Sequence, residues 1–219
     1  EQRFASKEYA GSAELAIPSL VVASTINTGP TMIYFGQELG EKGQDAEGFS
    51  GLDGRTTIFD YWSVPTVRRW YNNGKCNNDK LTVSEQKLRE TYSKILKLST
   101  KENAIAKGSF FDIMYVNYTN PTINPHNIYA YLRCYESEII VVTVNFSGNR
   151  YLCDLAIPQH AFDILGISQG TYPATELLTG KRGKKMLTAT DPFSIELEGN
   201  NAALWKIKLP TKKTTKNLK

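Results

Sequence analysis

The residues best suited to chemistry fall in two short strings of the 219-residue chain. Glu38 closes the run Thr31-Met32-Ile33-Tyr34-Phe35-Gly36-Gln37-Glu38, directly behind an apolar stretch. Asp60 sits among rings in Ile58-Phe59-Asp60-Tyr61-Trp62, with Arg55 a few residues upstream. A carboxylate beside aromatic side chains suits the edge of a sugar cleft, where the acid accepts hydrogen bonds from hydroxyls and the rings carry apolar faces. Nothing in the spacing of Glu38 and Asp60 marks them as a nucleophile and acid/base pair, so substrate contact is the chemistry they suggest. The same residues also fit a loop pinned by buried aromatics and by salt bridges from Arg55, Arg68 or Arg69. Metal chemistry finds little. The three cysteines, Cys76, Cys134 and Cys153, are too dispersed for a Cys-x-x-Cys motif, and only His126 and His160 add imidazoles. Cys134 and Cys153 either pair across neighbouring strands or remain buried thiols.

The elements that must hold these residues change character near residue 109. Residues 12–27 are mostly apolar around the whole circumference, as in a helix buried against a sheet, with Pro18 near its first turn and Gly29-Pro30 past its end. Residues 31–35 read as a short strand covered on both faces, of the kind found in parallel sheets. A long Gly-, Asp- and Asn-rich stretch follows. Thr82 and Glu85 then form a capping box ahead of an apolar stripe, Leu88, Tyr92, Ile95 and Leu96. From Phe110 the pattern is all strand: 110–118, 128–135, 138–146, 151–157, 175–178, 193–197 and 203–209, separated by turn residues, which predicts an antiparallel sandwich. The continuous apolar run Ile139–Val144 predicts a central strand.

Composition narrows the class. Hydrophobic residues are 41% and charged residues 22%, so a packed core is expected. The net charge of +4 owes much to lysines beyond residue 205, which read as a solvated end. No aromatic residue follows Trp205 to stack bases, no apolar run nears the roughly 20 residues of a membrane span, and no signal peptide opens the sequence. Nucleic acid and membrane are therefore not expected partners, and the compartment stays open. Asn117-Tyr118-Thr119 and Asn145-Phe146-Ser147 match the N-glycosylation pattern, with a structural reason sufficient for Asn145.

Pro30 through Glu38 resembles the proline, apolar strand and Tyr-Gly-Gln-Glu of the eighth barrel strand in glycoside hydrolase family 13, the α-amylase family. Glu1–Ser6 looks like the segment behind that family's Asn-His-Asp, Gly54–Trp62 like the loop after strand eight, and the capped helix like the eighth barrel helix. Ile128–Arg133, Val141–Ser147 and Glu176–Gly180 are similar to strands of its C-terminal sandwich. The resemblance covers nearly the whole chain except the lysine tail and implies an α+β chain, with residues 1–108 as a helix-strand-helix portion of a (β/α)8 barrel and 109–210 as an accessory all-β antiparallel sandwich; residues 211–219 read from their charge as a disordered lysine-rich tail. It implies retaining cleavage or transfer of α-1,4-glucosidic bonds in starch or maltodextrin by two carboxylates about 5–5.5 Å apart. Those acids, and the third acid of Asn-His-Asp, would lie before Glu1, so this chain alone is expected to be inactive. Glu38, Arg55, Asp60, Tyr61 and Trp62 would line substrate, with no cofactor and no metal. The expected partners are an α-glucan in the complete enzyme, and the remaining barrel or a second copy over the exposed edges of strand 32–35. The sandwich is expected to be the independently stable unit. A non-catalytic α-glucan-binding or structural sandwich module is the alternative.

Overall fold

The computed structural model describes residues 3–7, 9–43 and 64–210. Five helices occur among them, α1 (Ile17–Thr25), α2 (Pro65–Tyr71), α3 (Val83–Lys101), α4 (Asn103–Ala106) and α5 (Gln159–Leu165). The eight strands are β1 (Ser109–Asp112), β2 (Ile128–Tyr135), β3 (Glu138–Asn145), β4 (Tyr151–Leu155), β5 (Gly170–Glu176), β6 (Arg182–Leu187), β7 (Phe193–Leu197) and β8 (Asn201–Lys208). They form an antiparallel six-stranded sheet, ordered β1-β2-β3-β8-β5-β6, and a two-stranded ribbon, β4-β7.

β3 shows why its run lacks a polar face. Alternate residues of a strand point to opposite sides. Ile139 and Val141 enter the core shared with β4, β7 and α5, where Cys153, Phe162, Phe193 and Ile195 lie. Ile140, Val142 and Val144 enter a second core, formed with Leu20 and Val21 of α1, Leu88, Tyr92 and Ile95 of α3, and Ile105 of α4. The large sheet is thus covered by the ribbon on one face and by helices on the other.

Three polar ties fasten the helical layer. Arg133 of β2 is buried and donates to the carbonyls of Ile26, Ala104, Ile105 and Gly108. The Tyr131 hydroxyl lies 2.6 Å from Thr25 Oγ1. Lys206 of β8 pairs with Glu102 and, at 2.9 Å, with Glu138, whose other oxygen accepts the Ala104 N–H.

The capping box forms as the sequence predicts: Thr82 Oγ1 accepts the Glu85 N–H at 3.2 Å and Glu85 returns the bond at 2.8 Å. Other expectations are revised. Residues 31–34 form no strand among the described residues, because no described neighbour offers a backbone ladder; Met32 is 81% exposed. The first helix starts at Ile17 rather than near Ser12, with Pro18 inside its first turn. The run 110–118 breaks at Asp112, whose carboxylate turns back to accept the Met114 N–H at 2.7 Å. β6 and α5 have no counterpart in the sequence reading. Cys134 and Cys153 are buried free thiols, each pushed up by that burial. Asn117 and Asn145 are fully buried, and their amide nitrogens already donate to backbone carbonyls, so neither is presented as a glycan acceptor in the fold.

Candidate functional site

Gly36 carries the chain out of residues 31–35 with φ +74°, and an added Cβ would stand 3.1 Å from Glu41 Cβ and 3.2 Å from Val67 Cγ2. Glycine answers both demands. A single 3-10 turn, Gln37–Leu39, follows and ends at Gly40, also left-handed, where a Cβ would press on Ala13 and Leu88 at 3.2 Å. Gln37 holds this turn in place. Its Oε1 accepts the Tyr34 N–H at 3.2 Å and its Nε2 donates to the Tyr92 hydroxyl of α3 at 3.1 Å. Burial, reinforced by the charge of Glu38 and opposed by the bond from Gln37, pushes that hydroxyl up to about 12.

Glu38 is half-buried on this turn and makes no hydrogen bond with any described residue. Arg55, Asp60, Tyr61 and Trp62 lie outside the described residues, so the five sequence-predicted contacts are not seen as one cluster.

The described part of the site is a cleft of about 420 Å3 between the turn, α2 and α3, lined by Glu14, Glu41, Lys42, Arg69, Ser84 and Glu85 among others. Sequence reading missed this constellation, since its carboxylates come from three distant segments and only Glu85 carried a signal, as a cap. Each is held. Ser84 Oγ donates to Glu14 at 2.6 Å, and that bond is the main reason its carboxyl lies below the usual range. Thr66 Oγ1 and the Gly43 N–H donate to the two oxygens of Glu41 at 2.7 and 2.8 Å. Burial pushes Glu85 up, but bonds from Arg69 and the cap outweigh it and leave it lowered. A glycosidic general acid needs a carboxyl held above its ordinary value. Glu14 and Glu85 are tuned the other way, toward ionised acceptors. Such a cleft can accept hydrogen bonds from ligand hydroxyls and donate them from Lys42, which is recognition rather than proton transfer. Among the described residues no group of His, Cys, Asp and Glu is arranged to hold a metal ion.

No protein-family model and no curated protein matches the sequence. Solved structures do match. The chain is similar to AmyP in complex with maltose, with a TM-score of 0.61 and 18% identity over 95% of this chain and 37% of that one. It is similar to a maltogenic α-amylase, AmyB, from Thermotoga neapolitana (TM-score 0.56, 13% identity, 90% of this chain, 37% of that one). An Anoxybacillus α-amylase is a further neighbour (TM-score 0.52, 18% identity, 91% and 33%). At these identities the likeness is one of fold. The sandwich-like sheet and the helices on it share their fold with part of each of these structures, and the chain spans about a third of their length.

Proposed function

We propose that these residues form the C-terminal part of an α-amylase-type glycoside hydrolase whose complete form cleaves or transfers α-1,4-glucosidic bonds of starch or maltodextrin with retention of configuration. The observation that carries the proposal is the fold likeness to maltose-bound AmyP over 95% of the chain, which includes both the helical layer and the sheet. The glycine-pinned turn bearing Glu38 lies where the Pro30–Glu38 resemblance places the end of the last barrel strand, the end at which barrel active sites are built. Glu38, with Arg55, Asp60, Tyr61 and Trp62 on the stretch that follows, supplies a glucan subsite. The catalytic carboxylates come from a barrel portion preceding Glu1. That portion also pairs with residues 31–35, whose exposed Met32 and unladdered backbone need a neighbour.

Two measurements test this. Reducing-end release from soluble starch and maltoheptaose by the purified chain should stay at the buffer blank. The reading frame upstream of Glu1 should encode further barrel strands, closing on Asn-His-Asp. Steady release that disappears in Glu38→Gln would overturn the assignment, as would an upstream frame without those strands.

A further inference from the structure

Antiparallel register sorts the cations of β6 and β8 onto one face of the large sheet. Thr175 of β5 lies between Lys206 of β8 and Arg182 of β6, and Lys184 is paired with Pro173. Alternate residues of a strand share a face, so Arg182, Lys184, Lys206 and Lys208 all stand on the side away from Trp205 and Lys185. The helical layer covers this side over Ile140, Val142 and Leu204. It leaves Thr171, Pro173, Arg182, Lys184, Met186 and Lys208 exposed. Edge protection accounts for only part of this pattern. Lys185 already supplies an inward charge on β6, and Lys208 belongs to β8, which has a neighbour on each side.

Helix α3 borders the patch with more of the same charge. Lys94, Lys97 and Lys101 recur at i, i+3 and i+7, which places them along one stripe. Lys94 of that stripe donates to the Leu178 carbonyl, in the turn that joins β5 to β6. The nearby acids are taken. Glu102 and Glu138 both pair with Lys206, although Glu138 stands opposite Lys208 in the register. Lys97, Lys101, Arg182, Lys184 and Lys208 have no acidic partner among the described residues.

The shape of the face narrows what could meet it. Short side chains, Thr171, Pro173 and Thr175, separate the cations, which makes a flat array and not a groove. No aromatic ring stands on this face of β5 or β6 for bases to stack on. Its one large apolar side chain there is Met186, 43% exposed, too little to insert among acyl chains. A single anionic chain would meet one row of cations, whereas a plane of anions meets all of them together.

We propose that this face rests on an anionic lipid surface, held there by charge and without insertion. Clusters of about four to eight Lys and Arg are the size that such surfaces attract. The sequence gives no sign of it, because the cations come from three distant segments and meet only in the fold. The proposal stands apart from the amylase-type reading and neither needs nor tests it.

The test is co-sedimentation of the whole chain with vesicles of phosphatidylcholine and phosphatidylglycerol in equal parts, against phosphatidylcholine alone. Binding should require phosphatidylglycerol and should be lost at about 0.5 M salt, where charges are screened within a few ångströms. Each cation removed should weaken partitioning about fivefold, so Arg182→Gln, Lys184→Gln and Lys208→Gln combined should weaken it about a hundredfold. Removing the same charge from exposed Arg68, Lys75 and Lys80, in and after α2, should change it far less. The comparison is repeated in chains ending at Pro210, so that the lysines beyond cannot stand in for the face. All three face residues are exposed, and an unchanged thermal midpoint confirms the fold. Equal losses from the two triple variants would mean that net charge alone acts, and overturn the proposal. Vesicle binding indifferent to the face variant overturns it too, as does tight binding of soluble polyphosphate with none to vesicles.

Discussion

Replacing Arg133 by methionine should lower the stability of the chain by about 3–5 kcal/mol, and the figure follows from what the guanidinium touches. The residue is 1% exposed and forms no salt bridge among the described residues. Instead its nitrogens reach the carbonyls of Ala104 at 3.2 Å, Ile26 at 2.9 Å, and Ile105 and Gly108 at 2.8 Å each. These oxygens lie at or just past the ends of α1 and α4, where last-turn carbonyls lack helical partners and the dipole favours a cation. Methionine fills much of the space and donates nothing. The carbonyl of half-buried Ile26 can turn to water, but Ala104, Ile105 and Gly108 are buried. A buried acceptor left unpaired costs about 1–3 kcal/mol, so three cost roughly 3–9. Relief of the desolvated charge offsets part of this, leaving about 3–5 kcal/mol. That is a large fraction of the 5–15 kcal/mol typical of a domain. Arg133→Lys keeps the charge but not the fork, and should fall between the two. Urea unfolding measures both. A loss under about 1 kcal/mol in Arg133→Met would mean that water serves these carbonyls and that the residue does not hold the helices to the sheet.

Thr82→Ala should cost about 1 kcal/mol by removing half of the capping box, while Thr82→Ser should cost much less; thermal unfolding of the pair distinguishes loss of the hydroxyl from loss of the methyl. Glu85 is depressed in the fold, so its contribution is fully present above the ordinary glutamate value and is lost as pH falls through the lowered one. Glu85→Gln should therefore be less stable than the parent near neutrality and converge with it in acid, as read from denaturant midpoints across pH 2–7. Cutting the chain to residues 109–210 should leave an unfolded or dye-binding species, since Tyr131, Ile140, Val142, Val144 and Leu204 would lose their cover. At about 1.5–3 kcal/mol each, that loss matches a whole domain's stability, and a cooperative near-native melt of the truncated chain would refute it.

The strands with a strong pattern were legible because burial imposed the pattern. β2, β3 and β7 begin where the apolar pattern places them, since β2 and β3 send successive residues into two largely apolar cores and β7 alternates between one core and solvent. β6 was invisible: Arg182-Gly183-Lys184-Lys185 on an exposed edge is selected against pairing, and so carries no apolar signature. α5 has too few residues for its buried pair, Ala161 and Phe162, to establish a period. The turn at Gly36 was legible as a motif, but the cleft beside it was not. Glu14, Glu41 and Glu85 become neighbours only when α1, the turn and α3 pack together, and no local spacing encodes that meeting.

The change of period at residue 109 marks where the chain changes secondary structure, and the physics of the sheet argues that it does not mark a folding boundary. A sheet with one wet face shows alternation on every strand, whereas β3 shows none because both its faces are covered. The second cover is α1, α3 and α4, all from before residue 109. The same layer ties the sandwich to the Glu38 turn. Strand β2 fixes α1 and α4 through Thr25 and Arg133, and α3 is held by Lys94 donating to the Leu178 carbonyl beyond β5. α3 in turn presents Tyr92, protonated through the physiological range, to Gln37. The bonds of Thr25, Arg133 and Gln37 are buried or half-buried and that of Lys94 is exposed, while Leu88, Tyr92 and Ile95 of α3 also pack against the sheet, so the turn that carries Glu38 takes its position from the sheet through one helix. The sandwich is in this sense the footing of the candidate site. Gln37→Leu should therefore loosen the turn without unfolding the sheet, seen as faster amide exchange at Glu38 and Leu39 with the β3 amides unchanged, and equal acceleration in both places would show that the two are one cooperative unit.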